Sequence, residues 1–313
     1  MRHSTTFLMS LIVASILVLM FLNLVLGSVS IPLKSVWNII CGLGDEPVTW
    51  QNIVWKSRLP QALTALVAGA GLAISGLQMQ TVFRNPLAGP SVLGISSGAS
   101  MGVAFVVLLS GSLGGVALSK LGFMGEIALS IAAVIGSLSV MALIVYVSQK
   151  VKGNVTLLII GVMIGYVANA VIGGLKVFSV EEDIRAYVIW GLGSFSRVSG
   201  NQMMLFVAIM AILIPLSFLL IKTLNLMLLG DGYARNLGLN IKRARLLVIT
   251  SAGVLTAIVT AYCGPVIFLG LAVPHLCRAI FQTSDHRVLM PAVLFAGAAL
   301  ALVCNLIARM PGF

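Results

Sequence analysis

Few side chains in this sequence could do chemistry, and their spacing argues against most of it. His275 and Cys277 lie two apart in an apolar run, where a helix turns such neighbours to different faces. No carboxylate or second histidine stands beside them, so they do not complete a metal site. The other cysteines, Cys41, Cys263 and Cys304, form no Cys-x-x-Cys pair, and neither a thiolate metal site nor a disulfide framework is expected. No Gly-x-x-x-x-Gly-Lys-Ser/Thr occurs, so the chain has no such loop to cradle nucleotide phosphates. Paired carboxylates, a histidine-metal cluster or an activated serine, which a membrane-embedded enzyme would need, are missing from the apolar stretches. The chain itself is expected to be non-catalytic and to bind neither metal nor cofactor. Glu126 is the one carboxylate inside an apolar stretch, and it sits near the end of it. Gradient-coupled carriers usually hold titratable groups at mid-membrane, which disfavours the competing reading, an ion-gradient-driven secondary transporter.

The elements that must position these residues follow from composition. Of 313 residues, 59% are hydrophobic and only 9% charged, against about 25% charged in soluble domains. With a mean hydropathy of +1.12, the chain lacks enough polar surface to cover a water-soluble globule. Nine stretches, residues 7–27, 60–80, 91–110, 122–148, 155–178, 202–222, 246–263, 264–281 and 288–308, approach the roughly 20 apolar residues that cross a bilayer. The expected fold is all-α: one polytopic membrane domain over residues 1–313, a bundle of about nine transmembrane helices. The first stretch is read as retained, because its apolar run exceeds the roughly 7 to 15 residues of a secretory signal core. Small residues recur at helix-packing spacing, Gly69 with Ala73, Gly71 with Ser75, Gly98 with Gly102 and Gly161 with Gly165, where backbones can approach closely.

The net charge of +11 would point to nucleic acid in a soluble chain, but here no basic patch interleaves with exposed aromatics. Lys and Arg instead accumulate in cytoplasmic loops. With the N-terminus inside, the inner face collects more of them (Arg84, Lys150, Lys152, Arg235, Arg243 and Arg245 among them) than the outer face (Arg58, Lys120, Arg185 and Arg309 among them). That orientation is the expected one. Residues 223–245 combine a glycine-rich break, a short amphipathic run with Leu237 and Leu239, and four cations. Residues 80–99 read Q-T-V-F-R-N-P-L-A-G-P-S-V-L-G-I-S-S-G-A. Pro86 and Pro90 cannot continue a helix, so the chain leaves one span, turns at Arg84-Asn85-Pro86 and re-enters through a glycine- and serine-rich start.

At this segment the sequence resembles the FecCD family, the permease subunits of bacterial ATP-binding-cassette importers for siderophores, haem and vitamin B12. Further motifs agree in order: Ser57-Arg58-Leu59-Pro60, Trp190-Gly191-Leu192-Gly193-Ser194, Leu229-Gly230-Asp231-Gly232-Tyr233-Ala234-Arg235-Asn236-Leu237-Gly238, the run from Gly264-Pro265 to Pro274-His275, and Ser284-Asp285-His286-Arg287. The last of these otherwise reads as a polar loop turn.

The resemblance implies a ten-span permease in the bacterial cytoplasmic membrane. It would be paired as a homodimer or close heterodimer, with the translocation path along the subunit interface. Partners would be cytoplasmic ATPase subunits that use ATP and Mg, and a periplasmic or lipid-anchored solute-binding protein. The cargo would be an iron-siderophore, haem or a cobalamin-like chelate. By the same resemblance, Asn85, Pro86 and Leu87 lie near an inner gate. Asp231, Arg235, Leu237, Gly238 and Arg243, within the loop 223–245, meet the ATPase, and Arg58 and Arg309 receive acidic residues of the binding protein. Family members continue through an outer turn and a tenth span, whereas this chain stops at Met310-Pro311-Gly312-Phe313, so a form shortened by one span is expected.

Overall fold

The computed structural model describes residues 2–112, 123–151, 154–198 and 200–310. Lys120, Lys152, residue 122 at the start of the fourth apolar stretch and the end from Pro311 lie outside them. The described residues form helices and no strands: α1 (Arg2–Val25), α2 (Leu33–Cys41), α3 (Val48–Ile53), α4 (Leu59–Phe83), α5 (Ile95–Ser112), α6 (Phe123–Lys150), α7 (Asn154–Val177), α8 (Glu181–Gly191), α9 (Gly200–Phe218), α10 (Ile221–Leu228), α11 (Asp231–Asn236), α12 (Ile241–Cys263), α13 (Leu269–Phe281) and α14 (His286–Ile307).

α4 is the centre of the bundle. Every residue of it from Ala68 to Phe83 is buried, as expected of a helix that is apolar or small on all faces, and α14, α12, α13 and α9 pack around it. Small residues set these contacts. A Cβ at Gly69 would collide with the Gly297 carbonyl of α14, and one at Gly76 with the Gly270 carbonyl of α13. Gly98 and Gly102 meet Gly136 and Ala132 of α6 in the same way, and Gly161 of α7 lies against the backbone of Val92 and Leu93. Gly71 faces Met210 of α9, while Ser75 is within 2.7 Å of Thr256 and donates to the Ala252 carbonyl of α12 at 2.8 Å. All four expected small-residue pairs therefore sit at packing contacts.

The expected spans map unevenly onto helices. Among the described residues, six helices are long and apolar enough to cross a membrane alone: α1, the continuous run Val48–Phe83, α6, α7, α12 and α14. The stretch 202–222 is instead the pair α9 and α10, bent by 45°, and the break falls at Leu219-Leu220, one turn beyond Pro215. The stretches 91–110 and 264–281 give shorter apolar helices. In the first, Pro90 and the left-handed Gly94 impose a 3-10 turn, Pro90–Leu93, ahead of α5. In the second, Gly264 at φ 76° and Phe268 at φ 65° bracket a non-helical passage, 264–268. Gly270 meets Gly76 partway along α4, so α13, with 13 residues, covers only about 20 Å. Non-helical backbone at this depth is tolerated where protein covers it or a cavity adjoins it. Here the Ser194 amide donates to the Cys263 carbonyl at 2.7 Å.

Two segments outside the expected apolar stretches are helical. Residues 42–57 contain α3, which runs through a π-turn, Val54–Arg58, directly into α4, and residues 179–201 contain α8. Charges at Lys56, Arg58 and Glu181 to Asp183 interrupt the apolar runs and so mask these helices in the sequence. Extra atoms at the α4 crossing must be destabilising. Gly76→Ala is expected to cost about 1–3 kcal/mol through overpacking, read as a lower melting temperature in detergent. Gly173→Ala, with no atom within 4 Å of the new methyl, should leave it unchanged.

Candidate gating and coupling sites

At one end of the bundle α4 stops with Arg84 in the left-handed conformation, φ 49° and ψ 38°. The Arg84 amide bonds to the Thr81 carbonyl at 3.3 Å and the Asn85 amide to the Gln80 carbonyl at 3.2 Å. This is the Schellman arrangement, with arginine where glycine is usual. The Asn85 side-chain oxygen then accepts the Leu87 amide at 2.9 Å, a local turn that Asn forms readily. Asn85, Pro86 and Leu87 thus make one tight turn, and Leu87 is 68% exposed at its tip. Beyond it the 3-10 turn seats on Gly161 and borders a cavity of about 240 Å³ lined by Ser91, Ser97, Tyr166 and Asn169.

The segment 223–245 lies at this same end. Arg235, Leu237, Gly238 and Arg243 are all exposed, as is Tyr233, while Ala234 is buried. Asn240 caps α12 by accepting the Arg243 amide at 3.1 Å. Asp231 alone of the five expected contact residues turns inward. One carboxylate oxygen lies 2.6 Å from the Arg84 guanidinium, the other 3.4 Å from Arg245. Arg84 and Arg245 were not among the expected site residues. Positions 84 and 231 are 147 apart, and no local pattern joins them.

His286, read from sequence as part of a polar loop turn, is 1% exposed. Its Nε2 lies 2.8 Å from Thr81 Oγ1 and its Nδ1 2.8 Å from Asn225 Oδ1, so one ring ties α4, α10 and α14 together. Asp285 caps α14, and the Arg287 amide and the Asn225 side chain hold its carboxyl below the usual carboxylate range. Arg278 of α13 donates to Gln80 Oε1, and the Gln80 amide donates to the Leu271 carbonyl at 3.0 Å. His275 is exposed and Cys277 buried, on different faces of α13. Glu126 stands exposed in the first turn of α6, where Gln202 donates to it at 3.3 Å.

Arg58 and Arg309 occupy the opposite end, and for Arg58 the expectation needs correction. Arg58 is 1% exposed, out of reach of a docking protein. Its Nη1 donates to the Leu24 and Val25 carbonyls, each at 2.7 Å, and its Nη2 to Val29. Arg309, half-buried, donates to the Asn23 carbonyl at 3.3 Å. These acceptors lie in and just beyond the last turn of α1, where a helix leaves carbonyls unpaired and its dipole is negative. Both arginines therefore close the end of α1. Burial, and then the charge of Arg58, push the Arg309 guanidinium below its ordinary pKa. Nearby, residues 191–195 and 265–268 with Cys304, Asn305 and Ala308 line a cavity of about 480 Å³. Hydrogen bonds from a charged donor contribute about 1.5–3 kcal/mol each, so Arg58→Gln should destabilise the bundle by at least about 2 kcal/mol, seen as a lower unfolding midpoint in detergent. A residue serving only to dock a partner would leave that midpoint in place.

Comparisons with known proteins cover nearly the whole chain. Residues 15–312 match the model of the FecCD transport family. The chain is 35% identical over 260 residues to a vitamin B12 import system permease protein of Klebsiella pneumoniae subsp. pneumoniae, covering 83% of this chain and 75% of that one. It is 34% identical over 286 residues to a hemin transport system permease protein of Yersinia pestis, covering 91% and 81%. A solved inward-facing conformation of a metal-chelate type ABC transporter has the same fold, with a TM-score of 0.82 and 26% identity, over 96% of this chain and 90% of that one. With its helical bundle, its Arg84-Asn85-Pro86-Leu87 turn and its ordered motifs, this chain belongs to the FecCD transport family, as a membrane-spanning permease subunit of an ATP-binding-cassette importer.

Proposed function

We propose that this permease carries a bulky metal chelate (an iron-siderophore, haem or a cobalamin-like molecule) into the cytoplasm, driven by ATP and Mg consumed in separate ATPase subunits. The observation that carries this reading is the exposed set Arg235, Leu237, Gly238 and Arg243 at the same end of the bundle as the Asn85 to Leu87 turn. Tyr233 and Leu237, 66% and 55% exposed, supply apolar anchors beside cations, a composition suited to a protein partner. On this reading the Arg84 end is cytoplasmic, as is the N-terminus, and the loop 223–245 docks the ATPase.

The Asn85-Pro86-Leu87 turn acts as the inner gate. Its tip is apolar and uncharged, which suits a constriction that closes by excluding water. A second copy of the chain pairs with the first, and solute passes between them. The solute-binding protein approaches the Arg58 end, where Arg309 keeps partial access and Arg58 serves from below by fixing α1. Vitamin B12 and haem relatives support a chelate cargo.

Uptake into sealed vesicles holding the permease and its co-purifying ATPase tests the whole scheme, with a ferric siderophore, haem and cobalamin each assayed. Uptake of one of them is expected to require ATP and to persist with an uncoupler. Uptake that survives without the ATPase and collapses with the uncoupler would replace this reading by a secondary carrier. Reversing Arg235 and Arg243 together to Glu should lower ATPase recovery in detergent pull-down about tenfold, the effect of roughly 1.4 kcal/mol.

A further inference from the structure

Asp231 does not behave like the rest of the segment it opens. Gly232, Tyr233, Arg235 and Leu237 are exposed, whereas the Asp231 carboxylate bridges two bundle helices, holding Arg84 at the end of α4 with one oxygen and Arg245 of α12 with the other. Arg84 Nη2 also donates to the Met227 carbonyl at 3.3 Å, so the guanidinium sits between the end of α10 and the start of α11. The backbone at Arg84 strengthens the case. A left-handed residue that closes a helix is normally glycine, because any side chain is strained there. This chain accepts that strain and gains a guanidinium three positions from Leu87.

We propose that Asp231 is the joint through which movement of the 223–245 segment reaches the gate turn, with Arg84 as its positioning partner on the bundle side. The proposal rests on the reading of 223–245 as the ATPase-docking segment. Both side chains are about two-fifths exposed, 42% and 41%, and exposed ion pairs contribute little to folding. The value of this pair is therefore geometric. A shift of α11 alters the contacts to α4 and α12 together, and the Asn85 side chain, bonded to the Leu87 amide, makes the turn follow Arg84 as one packed element.

A nitroxide at Leu87→Cys reads the turn directly, in a background with Cys41, Cys263, Cys277 and Cys304 replaced. The permease is reconstituted with its ATPase in nanodiscs, and its spectra are compared without nucleotide and after trapping with ATP, Mg and vanadate. In the background protein the spectrum is expected to change on trapping. Arg84→Gln is expected to lose that change while recovering as much ATPase as the background, and Arg84→Lys, which keeps the charge, to retain it. A full response in Arg84→Gln, a loss in Arg84→Lys as well, no response in the background, or loss of ATPase from Arg84→Gln would each overturn the proposal. Docking itself is judged separately by the Arg235 and Arg243 pull-down, so failure of the joint and failure of the docking reading are distinguishable.

Discussion

In hydrocarbon a peptide group without a partner costs several kcal/mol, and the architecture is organised around the places where helices end or break. α1 ends at a pair of arginines drawn from α14's exit and α4's entry. α4 ends in a Schellman turn that satisfies its own carbonyls. The passage between α12 and α13 borrows the Ser194 amide. Some polar side chains that enter the core are paired there, Ser75 with Thr256 and His286 with Thr81 and Asn225, whereas Gln78 of α4 is buried without a hydrogen-bond partner. Close helix contacts become possible because these ends are already closed, and glycine and alanine then bring α4, α13 and α14 within touching distance.

The sequence made some of this legible and hid the rest for physical reasons. Long apolar runs announce helices whatever they pack against, so α1, α6, α7, α12 and α14 were visible. Half-length helices were not, because Val266, Ile267 and Phe268 lead into α13 without a polar residue, and the start of that helix is set by backbone geometry at Gly264 and Phe268. The Asn85-Pro86-Leu87 turn was readable because proline fixes the backbone locally. Arg58 was misread. A cation at a membrane edge has the same sequence appearance whether it meets water, a partner or the carbonyls of a neighbouring helix. What distinguishes these cases is contact with residues some thirty positions earlier. His286 and the Arg84 to Asp231 pair were hidden for the same reason, since each is defined by partners far along the chain.

The two ends of the bundle differ in how their arginines are held. At one, Arg58 is fully buried and bonded to three backbone carbonyls, an arrangement that resists local opening. At the other, Arg84 and Asp231 are partly solvated and meet through a side-chain contact, which small displacements can remake. Beneath that surface layer, His286 and Gln80 bind α4 to α10, α13 and α14. A firm platform under adjustable surface contacts would suit the gate proposed at the Asn85 to Leu87 turn, keeping its motion confined to a few residues.

The pairing of Asn23 carries a consequence for biogenesis. Its amide donates to the Leu302 carbonyl, and its oxygen accepts from Asn305, residues 279 and 282 positions downstream. During synthesis, α1 leaves the ribosome long before α14, and until α14 is threaded beside it Asn23 has only the Leu19 carbonyl of its own helix to donate to, with its side-chain oxygen unpaired. That favours insertion machinery or an early neighbour sheltering the nascent helix for most of translation, and it leaves an abandoned partial product with a polar flaw in lipid that membrane proteases could recognise.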